Sequence, residues 1–308
     1  MGPDGTGAAD TPANENPPAD DPPPVATVAG NTAPKATETN APPHPIDAAD
    51  AADMQVDPAP ASDADAPGLG SAPVAGRFLP SVSAFRFTND FPHQPVVTVP
   101  IPGLGRGIPI GDASRGLCGG MTFAVRDLFE AGREPPADTT PPGADTPLCH
   151  YIVRRLFDSW DLPRGALRYY QLQTAPDTDA VWALGRRAGV GRSTVVGEWP
   201  RARMELDSGR LAALGIITVH SADPFKLGMN HQVLAYGYEL AGTAVTVRVY
   251  DPNTPIDRAD DVAISFDTAN PAGPVPITHN LSIGDRPVRG FFHATYRWSD
   301  PSRIFDDS

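Results

Sequence analysis

The chain has 308 residues and a net charge of −13, and nearly all of that charge lies in its first quarter. Up to Ala75 twelve acidic residues stand against Lys35 alone, −11 of the total, and no aromatic residue precedes Phe78. The remainder, 23 basic against 25 acidic side chains, offers no basic patch for a phosphate backbone, which excludes nucleic acid as an expected partner.

Residues 1–77 hold too few apolar side chains, and too many Pro and Asp, to offset the entropy of ordering them, so this segment is predicted to be a disordered acidic tail. Residues 78–308 then form one domain. The acidic tail disfavours anionic membranes, and no apolar run reaches the roughly eighteen residues of a transmembrane helix. The start, Met-Gly-Pro-Asp-Gly-Thr, has neither a basic n-region nor an apolar h-region, which points to the cytoplasm and leaves non-classical export open. Two lysines against twenty-two arginines read as codon bias from a GC-rich, bacterial genome.

Ser83 to Phe91 places Phe85, Phe87 and Asn89 on one face and predicts a short strand. Pro92 to Gly111 reads as a loop. From Cys118, the spacing of Met121, Val125, Leu128 and Phe129 predicts a helix that ends at Gly132 and the Pro135–Pro142 loop. A second helix is predicted over Pro147–Trp160, with Leu148, Ile152, Leu156 and Phe157 as its stripe and Pro147 at its start. A third covers Thr178–Arg187 and a fourth Trp199–Leu206. After Leu214 the period shifts toward two. Strands are expected at Gly215–His220, His231–Tyr238, Thr243–Tyr250, Asp261–Phe266, Pro276–Ser282 and Arg289–Trp298. Helices followed by an antiparallel sheet make the fold class α+β.

The residues that carry chemistry fall at three element ends. Cys118 opens a helix among Gly116, Gly119 and Gly120, where unpaired backbone N–H groups stabilise a thiolate and glycines let a substrate backbone approach. His231 opens one strand and Asp251 closes the next, so neighbouring antiparallel strands supply a base and a group that orients it. Asn253 is the alternative orienter. Other readings of these residues are ordinary ones: a buried free cysteine, a histidine at a strand end, a turn at Asp251-Pro252-Asn253. Cys149, in register with Ile152 and Leu156, reads as core, with a disulfide to Cys118, which would abolish nucleophilicity, as the alternative. His220, Asp223 and His231 match no standard metal-ligand spacing, so no metal and no cofactor are expected.

The order Cys, His, Asp, with the nucleophile on the first long helix and its partners on a later sheet, resembles the papain-like cysteine peptidase superfamily. The segments Gly116-Leu117-Cys118-Gly119-Gly120, His231-Gln-Val-Leu-Ala-Tyr-Gly-Tyr238 and Tyr250-Asp251-Pro252-Asn253 are similar to its bacteriocin-processing branch and to bacterial papain-like proteins of unassigned function. The resemblance implies a nucleophile helix packed on an antiparallel sheet, with Cys118, His231 and Asp251 as a catalytic triad acting on a peptide or amide. The chain lacks the papain cysteine signature. Six residues before the cysteine, where the superfamily carries its oxyanion-hole glutamine, it has Asp112. Asn89 or Gln94, with the Cys118 backbone N–H, are the candidate oxyanion donors. The expectation is a thiol-dependent acyl-transfer enzyme, a peptidase or amidase; the alternative is a non-catalytic papain-like pseudoenzyme or binding module.

Overall fold

The computed structural model describes residues 78–91, 97–99, 108–110, 116–182 and 185–305, with the backbone alone at 97–99, 108–110 and 182. The predicted tail over 1–77, Gln94 and Asp112 lie outside the described residues.

The fold is α+β. A short helical turn, α1 (Pro80–Ser83), is followed by the paired segments β1 (Val97–Val99) and β2 (Ile108–Ile110). Helices α2 (Cys118–Glu130), α3 (Pro147–Ser159) and α4 (Arg164–Gln173) come next, then the small hairpin β3 (Ala180–Trp182) and β4 (Gly185–Arg187). One helical stretch runs from α5 (Val190–Arg192) through a π-helical segment, Ser193–Glu198, into α6 (Trp199–Asp207). The main sheet uses β5 (Ala212–Ile217), β6 (His231–Ala241), β7 (Ala244–Tyr250), β8 (Ala263–Asp267), β9 (Thr278–His279) and β10 (Gly290–His293). Its order is β10-β5-β6-β7-β8-β9, with antiparallel pairing throughout. Among the described residues no helix is long and apolar enough to cross a membrane.

Two apolar clusters sandwich this sheet. On one side Ala213, Ile217, Leu234 and Tyr250 meet Met121, Val125 and Leu128 of α2 and Ile152 and Leu156 of α3. On the other, Leu214, Ile216, Val233 and Val247 meet Trp199, Ala202 and Leu206 of α6. Strand β5 is buried along its whole length because both of its faces are covered, whereas β7 alternates, with Val245, Val247 and Val249 buried. A bulge between Ala235 and Gly237 changes the parity of β6, so Tyr238 packs on Trp199 instead of following Tyr236 toward α2. The outer edge of β10 is closed by side chains: Phe291 N–H donates to Thr194 Oγ1, and His293 N–H donates to Glu198.

Helix α2 is buried from Gly119 to Leu128, including Arg126 and Asp127. It lies so close to α3 that a Cβ on Gly120 would strike the Ile152 carbonyl oxygen. Asp127 anchors it. Its carboxylate accepts from Arg155 Nε at 2.6 Å, Tyr151 OH at 2.9 Å, Tyr296 OH at 2.7 Å and Ser299 N at 3.0 Å, which ties α2, α3 and the C-terminal segment together.

Three of the predicted elements require correction. Ser83–Phe91 is not a strand: Phe85 and Phe87 are both buried and stack at 4.9 Å, but the backbone there has no ladder partner. Apolar alternation reported burial without sheet pairing. Thr178–Arg187 is not a helix but the β3–β4 hairpin, whose second strand begins at Gly185 with φ of +135°, a conformation a helix cannot hold. Helix α4 was hidden by Pro163 and Gly165 at its start. The predicted loop Pro92–Gly111 also contains β1 and β2. The other helices and strands fall near their predicted places.

Replacing Asp127 by Ala takes from the Arg155 guanidinium, only 2% exposed, its one fully buried carboxylate and leaves it the half-exposed Asp158 and the Arg297 carbonyl. Removal of one member of a buried ion pair typically costs about 3–5 kcal/mol. The Asp127→Ala variant is therefore expected to unfold at a clearly lower urea midpoint with an unchanged m-value, measured by equilibrium denaturation.

Candidate functional site

Cys118 is the first residue of α2 and is half-buried; no side chain caps that helix start. The first-turn N–H groups are therefore open to a negative charge placed at the helix end. The same end of α2 rests on the start of β6, where Thr122 Oγ1 donates to the Gln232 carbonyl oxygen at 3.5 Å. His231, the first residue of β6, is thereby brought against Cys118. The β6–β7 register, Leu234 opposite Tyr250, sets Asp251 just beyond the end of β7 and beside His231.

The three side chains form one line. The Cys118 thiol and the His231 ring are near enough for each to shift the other's ionisation. His231 Nε2 lies 2.7 Å from Asp251 Oδ1. A carboxylate only accepts, so Nε2 carries the proton and Nδ1 is the nitrogen left for the thiol. Asp251 is wholly buried. Its Oδ1 also accepts from Asn253 N at 2.9 Å, and its Oδ2 accepts from Thr254 Oγ1 at 3.0 Å and from Ser282 N at 2.8 Å. Thr254 spends its single hydroxyl proton on the carboxylate, so in the 2.9 Å contact between Thr254 Oγ1 and Ser282 Oγ the serine is the donor.

These contacts decide the charges. Burial alone would push the Cys118 thiol up. The neighbouring His231, its hydrogen bond and the backbone N–H groups of Gln232 and Gly119 outweigh burial and hold the thiol below its ordinary value. Burial likewise disfavours a charged His231, but Asp251 and Cys118 raise the imidazole to about 10. Burial would raise Asp251 as well; His231 and the Asn253 and Ser282 N–H groups bring it below the usual carboxylate range. The lowered thiol and the raised imidazole shift in the sense that favours a thiolate beside an imidazolium.

Asn89 stands on the other side of the cysteine. Its Oδ1 accepts from Leu117 N at 3.0 Å and its backbone N–H donates to the Pro252 carbonyl at 2.8 Å. Gly116, at φ of +44°, adopts a backbone conformation that favours glycine. A Cβ there would lie 2.7 Å from Asn89 Nδ2 and 3.6 Å from both the backbone nitrogen and the sulfur of Cys118. The missing side chain thus leaves open a space shared by one amide donor, one backbone N–H and the thiol.

Of the residues singled out from sequence, Cys118, His231, Asp251 and Asn89 are gathered here; Gln94 lies outside the described residues. Asn253, the alternative orienter, does not take that role. Its side chain bonds Asn89 and Ser282, and the carboxylate of Asp251 holds the imidazole. Cys149 is buried in the core as expected, and its thiol is pushed up by burial. Sequence reasoning missed Thr254, Ser282 and Tyr169, whose hydroxyl donates to the His231 carbonyl at 3.1 Å. Thr254, three residues after Asp251, carried a local turn signal; Ser282, thirty-one residues away, carried none. A cavity of about 480 Å³ beside Arg155, Leu162 and Trp298 includes none of these groups.

No protein family, curated protein or solved structure matches the chain.

Alkylation of Cys118 by iodoacetamide follows the thiolate fraction. With Cys149 replaced by Ala, the wild-type rate is expected to persist below the ordinary thiol pKa of about 8.5. His231→Ala removes the favourable charge and leaves burial to push the thiol up. Its rate profile is expected to move to higher pH by about 1–3 units.

Proposed function

We propose that this chain is a thiol-dependent acyl-transfer enzyme, a cysteine peptidase or amidase with a papain-like arrangement. The observation that carries the proposal is His231 set between the Cys118 thiol and the buried Asp251, to which its Nε2 is hydrogen-bonded at 2.7 Å, with the thiol held low and the imidazole held high. Structural cysteines in apolar surroundings have their thiols pushed up instead, as Cys149 does here.

In the reaction so assigned, the Cys118 thiolate adds to the carbonyl carbon of an amide and a sulfur–carbon bond forms. The carbonyl electron pair moves to oxygen. That oxyanion is received by the Cys118 backbone N–H and Asn89 Nδ2, the donors beside the open space at Gly116. The carbon–nitrogen bond then breaks. The imidazolium of His231 gives its Nδ1 proton to the leaving amine, and a thioester remains on Cys118. Neutral His231 next takes a proton from water, the resulting hydroxide adds to the thioester, and the thiolate leaves. The sum is one amide and one water converted to one acid and one amine. Asp251 holds Nε2 protonated throughout, so that Nδ1 always faces the sulfur.

The test is a peptide library derived from a denatured proteome, incubated with the wild-type chain or with Cys118→Ala and read by mass spectrometry and ammonia release. New peptide termini that vanish with Cys118→Ala are expected for a peptidase. Cys118-dependent ammonia without new termini assigns an amidase or deamidase. Neither product at any pH overturns the enzymatic reading in favour of a non-catalytic binding module.

A further inference from the structure

Two asparagine amides, Asn89 and Asn253, link the oxyanion side of the site to the aspartate loop, and their polarity is unambiguous. Leu117 N–H can only donate, so the Asn89 atom 3.0 Å away is oxygen. The Ser282 carbonyl can only accept, so the Asn253 atom 3.2 Å away is nitrogen. The bond between the amides, Asn89 Nδ2 to Asn253 Oδ1 at 3.1 Å, is then the one arrangement in which every partner matches. The relay runs in a single sense from Leu117 N–H to the Ser282 carbonyl, with a backbone group fixing each end.

The relay leaves Asn89 Nδ2 with one hydrogen committed to Asn253 and one remaining. Its nitrogen borders the open space at Gly116, which the Cys118 N–H and sulfur also border. Held at Oδ1 alone, the half-buried Asn89 amide would pivot about that bond; the second bond, from Nδ2, stops the pivot. Asn253 stands two residues after Asp251 and its own N–H donates to the same carboxylate, so it is tied to the segment that holds the imidazole.

We propose that Asn253 is the positioning residue of the oxyanion site: through its Oδ1 it fixes Asn89 Nδ2 as a preorganised donor beside Cys118. The assignment rests on the acyl-transfer reading above. The hydrogen bonds of the Asn253 side chain go to Asn89 and Ser282, so that side chain acts on the oxyanion half of the chemistry.

Two reagents separate the halves. Iodoacetamide forms the sulfur–carbon bond by displacing iodide and develops no oxyanion. p-Nitrophenyl acetate is attacked at its carbonyl, passes through an oxyanion, loses p-nitrophenolate and leaves an acetyl thioester on Cys118. The p-nitrophenolate burst and the alkylation rate are measured on the full chain in the Cys149→Ala background. Loss of an oxyanion donor typically slows the reaction about 10²–10³-fold, and Asn89→Ala should slow the burst by that order. Asn253→Ala should slow it about 10-fold or more, with alkylation within about twofold of the parent, because its effect passes through that donor. On the Asn89→Ala background, Asn253→Ala should produce no further slowing, since the two act as one unit. Asn253→Ser, which keeps a hydroxyl acceptor, should fall between wild type and Asn253→Ala and serves if the alanine variant does not fold.

Equal slowing of burst and alkylation by both Asn253 variants overturns the proposal, as does a full further loss on the Asn89→Ala background. A wild-type chain that alkylates fast and with His231 dependence, yet gives no Cys118-dependent burst, also overturns it and leaves the thiolate pair standing. Slow alkylation with an ordinary thiol profile, indifferent to His231→Ala, marks the different failure of the acyl-transfer reading itself.

Discussion

Burying an unpaired carboxylate is among the most expensive things a fold can do, and the Asp251 carboxylate is wholly buried. It is tolerated because its two oxygens receive donors from three directions: His231 Nε2, the Asn253 N–H and Thr254 hydroxyl of its own turn, and the Ser282 N–H of a distant loop. The same charge raises the imidazole of His231, and the imidazolium in turn lowers the Cys118 thiol. The shift of the Cys118 thiol thus depends, through His231, on a carboxylate that solvent does not reach. Low local dielectric makes each of these attractions stronger than it would be at the surface.

Such a line works only if its ends do not drift, and the packing of α2 secures the cysteine end. The helix lies between the sheet and α3, close enough that Gly120 admits no side chain, and Asp127 binds it to Arg155, Tyr296 and Ser299. Asp127 and Asp251 are both buried acids with several donors, yet they differ in what they face. Asp127 faces a guanidinium, which does not lose its proton, and serves to hold elements together. Asp251 faces an imidazole, whose proton can be moved. One fold thus contains a fixed ion pair and a titratable one.

Much of the site was legible because its residues stand at the ends of regular elements. The 3.6-residue spacing from Met121 to Phe129 marked α2 and so placed Cys118 at a helix start; the β-branched and aromatic runs placed His231 and Asp251 at strand ends. The failures share a cause. Phe85 and Phe87 alternate as a strand would, but they are buried by packing with no ladder partner. The helix expected over Thr178–Arg187 ignored Gly185, and α4 lay hidden behind Pro163 and Gly165. The bulge that turns Tyr238 toward Trp199 falls at Gly237, an isolated glycine in a strand run that alternation alone passes over.

The sequence by itself determined the local facts: which segments repeat with a helical or a strand period, that an open helix start carries a cysteine flanked by glycines, and that an α+β order follows. Those facts depend on side-chain spacing along a few turns of chain. Only the tertiary structure decided that Asp251, and not Asn253, holds the imidazole, that Asn253 turns instead to Asn89, and that Ser282 completes the carboxylate. These are matters of which donor meets which acceptor between segments tens of residues apart, to within a few tenths of an ångström. Hydrogen bonds are won or lost at that scale, and a one-dimensional pattern does not encode it.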